Sequence, residues 1–198
     1  MLYARREIFN RLSIKIGKFF SKFPITANQW TLSSLFFVFI SVYFLFNENL
    51  VFASIFFLLA ALVDIIDGSV ARITGRVTTL GAYLDTMVDR VVEFSIVLGL
   101  FFINYPTFLI SSKFWLLFFL FGSYMTTYVK SAASEKKLVD KELRGGLLER
   151  SERLILTFLV MLISIFSLSY GLYLIVLMAI LTNLTALQRF LLAIKQKK

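Results

Sequence analysis

Long apolar runs separated by short polar stretches dominate the chain. They cover Trp30–Phe46, Leu50–Ile73, Thr79–Ile103, Phe114–Ala133, Leu154–Leu168 and Leu172–Ile194. About twenty apolar residues cross a bilayer as one helix. The pattern predicts an all-α, polytopic membrane protein with six transmembrane helices over residues 30–194, forming a single domain over 1–198. The fifth run is short, so its helix is expected to begin earlier, near Leu147.

Residues 1–22 show a different pattern. Ile8, Leu12 and Ile16, followed by Phe19 and Phe20, recur every three to four residues, and basic residues occupy other positions. This spacing predicts a basic amphipathic helix lying on the inner membrane surface. A disordered basic tail is the alternative. The segment has no signal-peptide core, so we expect no cleaved signal.

A proline separates this segment from the first apolar run. Thr26 or Asn28, which follow Pro24, could cap the first transmembrane helix.

Basic residues cluster in alternate connections between the runs. They precede the first run, follow the second, fill the stretch between the fourth and fifth, and follow the sixth, whereas the opposite connections contain only Lys113. Cytoplasmic loops of membrane proteins are enriched in Lys and Arg. We therefore expect both termini, and any site formed at these loops, on the cytoplasmic side of the cell membrane.

Composition narrows the possible chemistry. The chain has 59% hydrophobic residues, 23 Phe, no Cys and no His. Thiol catalysis, disulfides, Cys/His zinc sites and Ser-His triads are therefore excluded. A metal site must use oxygen ligands, which suit Mg²⁺ or Mn²⁺. The net charge of +9 fits topology and anionic lipid headgroups, and no nucleic-acid partner is expected because the basic residues form no stripe with interleaved aromatics.

Four carboxylates lie in or beside the second and third runs, where charge is costly. Asp64 and Asp67 are three residues apart and Asp85 and Asp89 are four apart, so each pair shares a helix face. The connector, roughly 74–78, is short, which predicts that the two helices are antiparallel neighbours. Four carboxylates would then form one cluster that divalent cations, possibly a pair, must neutralise.

Small and basic residues accompany the cluster. Gly68, Ala71 and Gly81 would let a ligand approach the backbone, and Arg72 could hold a phosphate. The alternative is a cation pathway or a structural ion-pair network with Arg72, Arg76 and Arg90 as partners.

Residues 64–89, DIIDGSVARITGRVTTLGAYLDTMVD, resemble the signature of the CDP-alcohol phosphotransferase family, D-x2-D-G-x2-A-R-x8-G-x3-D-x3-D, at every fixed position. Six spans and an amphipathic N-terminal helix are also similar to that family. The resemblance implies a phospholipid-synthesising enzyme that transfers a phospho-alcohol from a CDP-linked lipid to a hydroxyl acceptor and releases CMP. It also implies a homodimer, which no helix-packing motif in the sequence establishes.

The resemblance also implies roles for individual residues. Asp64, Asp67 and Asp85 would bind Mg²⁺ or Mn²⁺, and Asp89 would complete the metal site and act as general base, holding its metal weakly. Ala27 replaces the usual proline of a family segment that faces the nucleotide. The expected contacts to the CDP moiety are Ala27, Asn28, Gln29, Trp30, Gly68, Ala71, Arg72, Thr78 and Gly81.

The acceptor is expected at the basic stretch before the fifth run. The strings YVKSA and GLLERSERL resemble the branch that makes phosphatidylinositol phosphate or archaetidylinositol phosphate. That resemblance implies that Lys130, Arg153 and Arg189, with Arg150 as a further candidate, bind the phosphate of inositol phosphate. Positive-inside topology alone is the alternative reason for these cations.

Other substrates and another class of function remain open. Glycerol 3-phosphate is the main rival acceptor, and serine would leave many cations unused. A divalent-cation transporter using the same carboxylates is the alternative class, although the chain shows no inverted repeat.

Overall fold

The computed structural model describes residues 6–75, 77–139 and 145–195, with side chains from Ser13 onward. Parts of the sequence predictions lie outside these residues: the first five residues of the amphipathic segment, the candidate ion-pair partner Arg76, and basic residues within 140–144 and 196–198. The described part of the chain is all-helical. Its helices are α1 Arg6–Phe20, α2 Ala27–Phe46, α3 Leu50–Ile73, α4 Thr79–Leu100, α5 Ser112–Glu135, α6 Arg150–Phe166 and α7 Leu168–Lys195.

Helices α2 to α7 each coincide with one predicted apolar run, and α3 has the predicted ends. The helix of the fifth run, α6, begins at Arg150, which lies between the predicted starts near Leu147 and at Leu154. Its start is fixed by a capping box that Glu149 forms with Glu152. Among the described helices, α2, α3 and α7 are long and apolar enough to cross a membrane. The chain is thus a helical membrane protein.

Helix α2 begins where the sequence offers a cap. The Gln29 backbone N–H donates to Thr26 Oγ1 at 3.3 Å, and the Thr26 N–H donates to Gln29 Oε1 at 2.8 Å. This capping box gives hydrogen-bond acceptors to two backbone N–H groups at the first turn. Thr26 is therefore the cap, and the side chain of Asn28 is left for another use.

Helix α2 packs against both α3 and α4, while α3 also packs against α1 and α6, and α7 packs against α5 and α6. Along the described residues α3 and α4 are not closely packed on each other. They are neighbours across a cavity that both helices line, and they bring their acidic residues to the same end of the bundle.

The core lies where the helices converge, and its apolar side chains include Val38, Leu45, Ile96, Leu100 and Met161. The outer faces are also apolar. Phe36, Phe39 and Tyr43 on α2, and Leu177 and Ile180 on α7, are among many large exposed side chains. A helix bundle that is apolar inside and outside is suited to lipid.

Helix α1 has the predicted amphipathic character and lies on α3. A Cβ added at Gly17 would be 2.5 Å from the Ser69 carbonyl oxygen, so only glycine permits this approach. Phe20 packs edge-on against Trp30, with ring centroids 5.5 Å apart. Ile14 and Phe19 are exposed, as expected for a helix whose outer face meets a membrane surface.

Close packing of α5 on α7 depends on Gly122. A Cβ there would lie 2.6 Å from Asn183 Nδ2 and 2.7 Å from Thr182 Oγ1. We expect Gly122→Val to lower the free energy of unfolding by about 1–3 kcal/mol, because the larger side chain overpacks this contact. Thermal unfolding in detergent measures it. The control is Leu117→Val on the exposed face of α5; equal unfolding temperatures for both variants would contradict the prediction.

Candidate active site

Three of the four predicted carboxylates lie together. Asp64 and Asp67 on α3 and Asp85 on α4 each place an oxygen so that all three atoms lie within 4.8 Å of one another. The two helices deliver them to one end of the bundle because the connector at 74–78 turns sharply at Gly75, whose φ of +66° favours glycine. The grouping predicted from helix spacing is confirmed for these three residues.

The trio fits a divalent cation. Asp67 is only 6% exposed, and its buried Oδ2 has no hydrogen-bond partner among the residues that the structure describes. A buried carboxylate oxygen without a donor is costly unless a cation compensates it. The donors are hard oxygens, which Mg²⁺ and Mn²⁺ prefer. The residues present therefore suit the metal that the sequence predicts.

Asp89 lies one helical turn beyond Asp85 and is held differently. It is 7% exposed and forms an ion pair with Arg150 Nη2, which also lies 3.3 Å from Asp64 Oδ1. Arg150, at the start of α6, thus joins the fourth carboxylate to the trio. The structure brings all four together, three directly and Asp89 through an arginine that the sequence offered only as a further acceptor contact.

A cavity of about 360 Å³ opens beside the trio, between the N-terminal turn of α2 and the facing ends of α3 and α4. Most of the residues expected to contact a CDP moiety line it. They are Ala27, Asn28, Gly68, Ala71, Arg72, Thr78 and Gly81, together with Asp64, Asp67, Asp85 and Arg150.

Gly81 lies close to two polar side chains of the cavity. The Gly81 N–H donates to Thr78 Oγ1 at 3.0 Å, which caps α4. A Cβ on Gly81 would be 3.1 Å from Thr78 Oγ1 and 3.2 Å from Asn28 Oδ1, so any larger residue would press on both side chains. At Gly68 the nearest atoms to an added Cβ belong to the flexible Arg72 side chain, 3.7 Å away. Gly68 therefore keeps open space next to the carboxylates.

Two residues expected at the nucleotide do not line this cavity. Gln29 is occupied with the Thr26 cap. Trp30 packs against Phe20, and its buried Nε1 has no hydrogen-bond partner within the described part of the chain. Their side chains connect α2 with its preceding segment and with α1.

The four candidate acceptor cations are divided. Arg150 lines the cavity. Arg153 is 2% exposed, and its Nε donates to Glu93 Oε1 at 2.8 Å. Arg189 donates from Nη1 to the Thr126 carbonyl oxygen at 2.9 Å and from Nε to that of Gly145 at 3.0 Å. Lys130, on α5, is partly buried.

Glu93 is a charged residue that the sequence reasoning did not single out. It is 7% exposed and accepts from Arg153 on α6, from Arg90 Nη1 at 2.7 Å on its own helix, and from the Ser123 hydroxyl on α5. The candidate partner Arg90 thus pairs with Glu93 and not with the aspartates. The repeat Asp85, Asp89, Glu93 at intervals of four residues was the available signal.

Comparison with known proteins agrees with this geometry. Residues 24–192 match the family model described as CDP-alcohol phosphatidyltransferase. The chain belongs to this family. A family relative, the archaetidylinositol phosphate synthase of Pyrococcus horikoshii, is 32% identical over 183 residues, which is 88% of this chain and 87% of that protein.

Solved structures show the same family fold. The Mycobacterium tuberculosis phosphatidylinositol phosphate synthase with CDP-DAG bound has a TM-score of 0.79 at 23% identity, covering 92% of this chain and 94% of that one. Its complex with manganese and citrate has a TM-score of 0.79 at 24% identity, covering 93% and 90%. At this identity the likeness establishes the fold.

We predict that Asp67→Asn weakens Mn²⁺ binding at least about tenfold, because it removes charge from a buried ligand set. Electron paramagnetic resonance of free Mn²⁺ with purified protein measures the affinity without turnover. The matched control is Glu135→Gln, since Glu135 is 70% exposed and pairs with its neighbour Lys136. Unchanged affinity in Asp67→Asn would exclude the trio as the metal site.

Proposed function

We propose that the protein transfers a phospho-alcohol, diacylglycerol phosphate or archaeol phosphate, from a CDP-linked lipid to a hydroxyl of inositol phosphate and releases CMP. The observation that carries this proposal is the trio Asp64, Asp67 and Asp85 beside a cavity lined by the glycines and arginine of the family signature. Such an arrangement would hold a metal and a phosphate-binding arginine next to open space for a diphosphate.

The lining of the cavity supports a CDP-linked lipid as the donor substrate. The cavity has hydrogen-bonding groups from Asn28 and Thr78 and a cation from Arg72. Its wall has no side chain at Gly68 and Gly81, which leaves space for a ligand. An arginine recognises phosphate through paired N–H donors. A relative of the same fold is described with CDP-DAG bound.

Divalent cations at the trio, Mg²⁺ or Mn²⁺ and as a pair in this proposal, would neutralise the diphosphate and the charge that develops on CMP as it leaves. Asp64, Asp67 and Asp85 would hold them, with Asp89 as a weaker ligand. Manganese in the structure of a relative supports a divalent ion.

The chain's own groups would carry the proton. Asp89 accepts the proton of the acceptor hydroxyl, whose oxygen attacks the lipid-side phosphorus; that oxygen forms the new P–O bond as the bond to CMP breaks. In the structure Asp89 forms an ion pair with Arg150. Release of Asp89 from Arg150 would then accompany acceptor binding.

An anionic acceptor is supported by Arg150, which pairs with Asp89 and lines the cavity. The other candidate cations, Lys130, Arg153 and Arg189, lie on α5, α6 and α7. Phosphate on the acceptor would draw Arg150 from the carboxylates. The name of the Pyrococcus horikoshii relative favours inositol phosphate over glycerol 3-phosphate, and serine lacks the phosphate altogether.

The proposal includes topology and assembly. Helices α4, α5 and α6 would complete six spans, since exposed apolar side chains such as Phe94, Phe118 and Ile155 run along them. Lys and Arg placement supports cytoplasmic termini and a cytoplasmic active site in the cell membrane. The homodimer is proposed from the family resemblance.

The acceptor assay tests the reaction. Purified protein in detergent receives CDP-linked lipid, Mn²⁺ or Mg²⁺, and inositol phosphate, glycerol 3-phosphate or serine in separate reactions. We expect CMP release with inositol phosphate and, without metal, a loss of more than about a hundredfold. If CMP were released with glycerol 3-phosphate and not with inositol phosphate, glycerol 3-phosphate would be the acceptor. If folded protein released no CMP with any of the three acceptors, the proposed reaction would be refuted.

Asp89→Asn tests the base. We expect a fall in kcat of about 10²–10⁴-fold, the usual range for a lost general base, with the unfolding temperature close to that of the parent. Mn²⁺ affinity should fall less than in Asp67→Asn, because Asp89 is the weaker ligand. Turnover near the parental rate would refute this role.

A further inference from the structure

Among the side chains of α1 that the structure describes, Ser13 contacts Arg72, a residue that lines the donor cavity. Arg72 Nη2 donates to Ser13 Oγ at 2.8 Å, and Ser13 Oγ lies 2.9 Å from Ser69 Oγ. Ser69 Oγ in turn donates to the Ile65 carbonyl oxygen at 2.7 Å. A chain of hydrogen bonds thus runs from the cavity, over α1, to the backbone of α3.

The chemistry of the donors fixes the direction of this chain. A guanidinium only donates, so Ser13 Oγ is the acceptor for Arg72 and must direct its own hydrogen to Ser69 Oγ. Ser69 is fully buried and uses its hydrogen on Ile65. Each hydroxyl therefore has one arrangement, and Ser13 is held as a fixed acceptor.

Position on α1 supports the same role. Gly17 lies one helical turn after Ser13, so the two share a face. Backbone contact of Gly17 with Ser69 sets how close α1 lies to α3. Arg72 itself is exposed and has a long flexible side chain, which would lose conformational entropy on binding a diphosphate. A fixed acceptor that orients it beforehand reduces that loss.

We propose that Ser13 is a positioning residue: it orients Arg72 for the diphosphate of the donor, so that the surface helix supports a cavity lined by residues of α2, α3 and α4 and by Arg150 of α6. The inference rests on the proposed function. It assigns a role in donor recognition to a residue that lies 51 positions before the first signature aspartate.

The experiment measures binding of labelled CDP-diacylglycerol to the full-length protein in detergent, alongside kcat and the KM for each substrate. Ser13→Ala should raise the dissociation constant and the KM for the CDP-lipid about threefold to tenfold, the usual net value of one intramolecular hydrogen bond. The acceptor KM and kcat should stay within about twofold of the parent, since neither step uses this contact.

The matched control is Ser21→Ala. Ser21 follows the same helix, and its hydroxyl donates only to the Lys18 carbonyl oxygen at 3.3 Å, so parental binding is expected. Gly17→Ala should weaken donor binding in the same direction as Ser13→Ala, because its methyl group would push α1 away from Ser69 while leaving the hydroxyl unchanged.

A double variant separates positioning from mere support of the fold. In an Arg72→Gln background, Ser13→Ala should cause no further loss, because its effect passes through the guanidinium. Parental binding by Ser13→Ala, or an equal loss with and without Arg72, would overturn the inference. A parent protein that binds no CDP-lipid would instead refute the proposed function, and this inference with it.

Discussion

The negative charge of Asp64, Asp67 and Asp85 is the constraint around which the site is built. Carboxylates at this separation repel, and their placement at the ends of apolar helices adds a desolvation cost. The structure answers this cost in two ways. It sets α3 and α4 apart around an open cavity, and it brings Arg150 from α6 to Asp64 and Asp89. Divalent cations would supply the remaining positive charge.

The rest of the bundle follows from holding those helices apart. Helix α2 packs on both α3 and α4 and so serves as the common wall behind the cavity. Toward the other end of α2, Leu45 packs directly on Gly99 of α4. A Cβ added at Gly99 would lie 2.5 Å from Leu45 Cδ1. Tight apolar packing at one end allows the polar end to stay open, and ligand space is obtained without loosening the core.

Much of this could be predicted because the determinants are local. Runs of apolar residues set α2 to α7, and intervals of three and four residues placed three carboxylates together. What could not be read from spacing was which arginine meets which acid. Arg150 and Arg153 are only one turn apart, yet the first binds Asp89 and the second Glu93. That choice depends on how far α6 is rotated toward α3 and α4, which is a property of the packed bundle.

The gap between α3 and α4 is another property of the packed bundle that spacing in the sequence does not show. A connector of a few residues indicates that two helices are linked, but side-chain repulsion and the support of α2 determine the gap between them. Likewise the contact of Ser13 with Arg72 joins residues 59 positions apart, and no periodicity in either helix points to it.

Thr126 on α5 couples two arginines of other helices. Its hydroxyl accepts from Arg153 Nη1 at 3.3 Å and its carbonyl from Arg189, so two arginines of different helices meet at one residue of a third. Energetic effects at sites that share a partner are not independent. A substitution at either arginine would therefore change the effect of a substitution at the other, and the two positions are expected to vary together among related sequences.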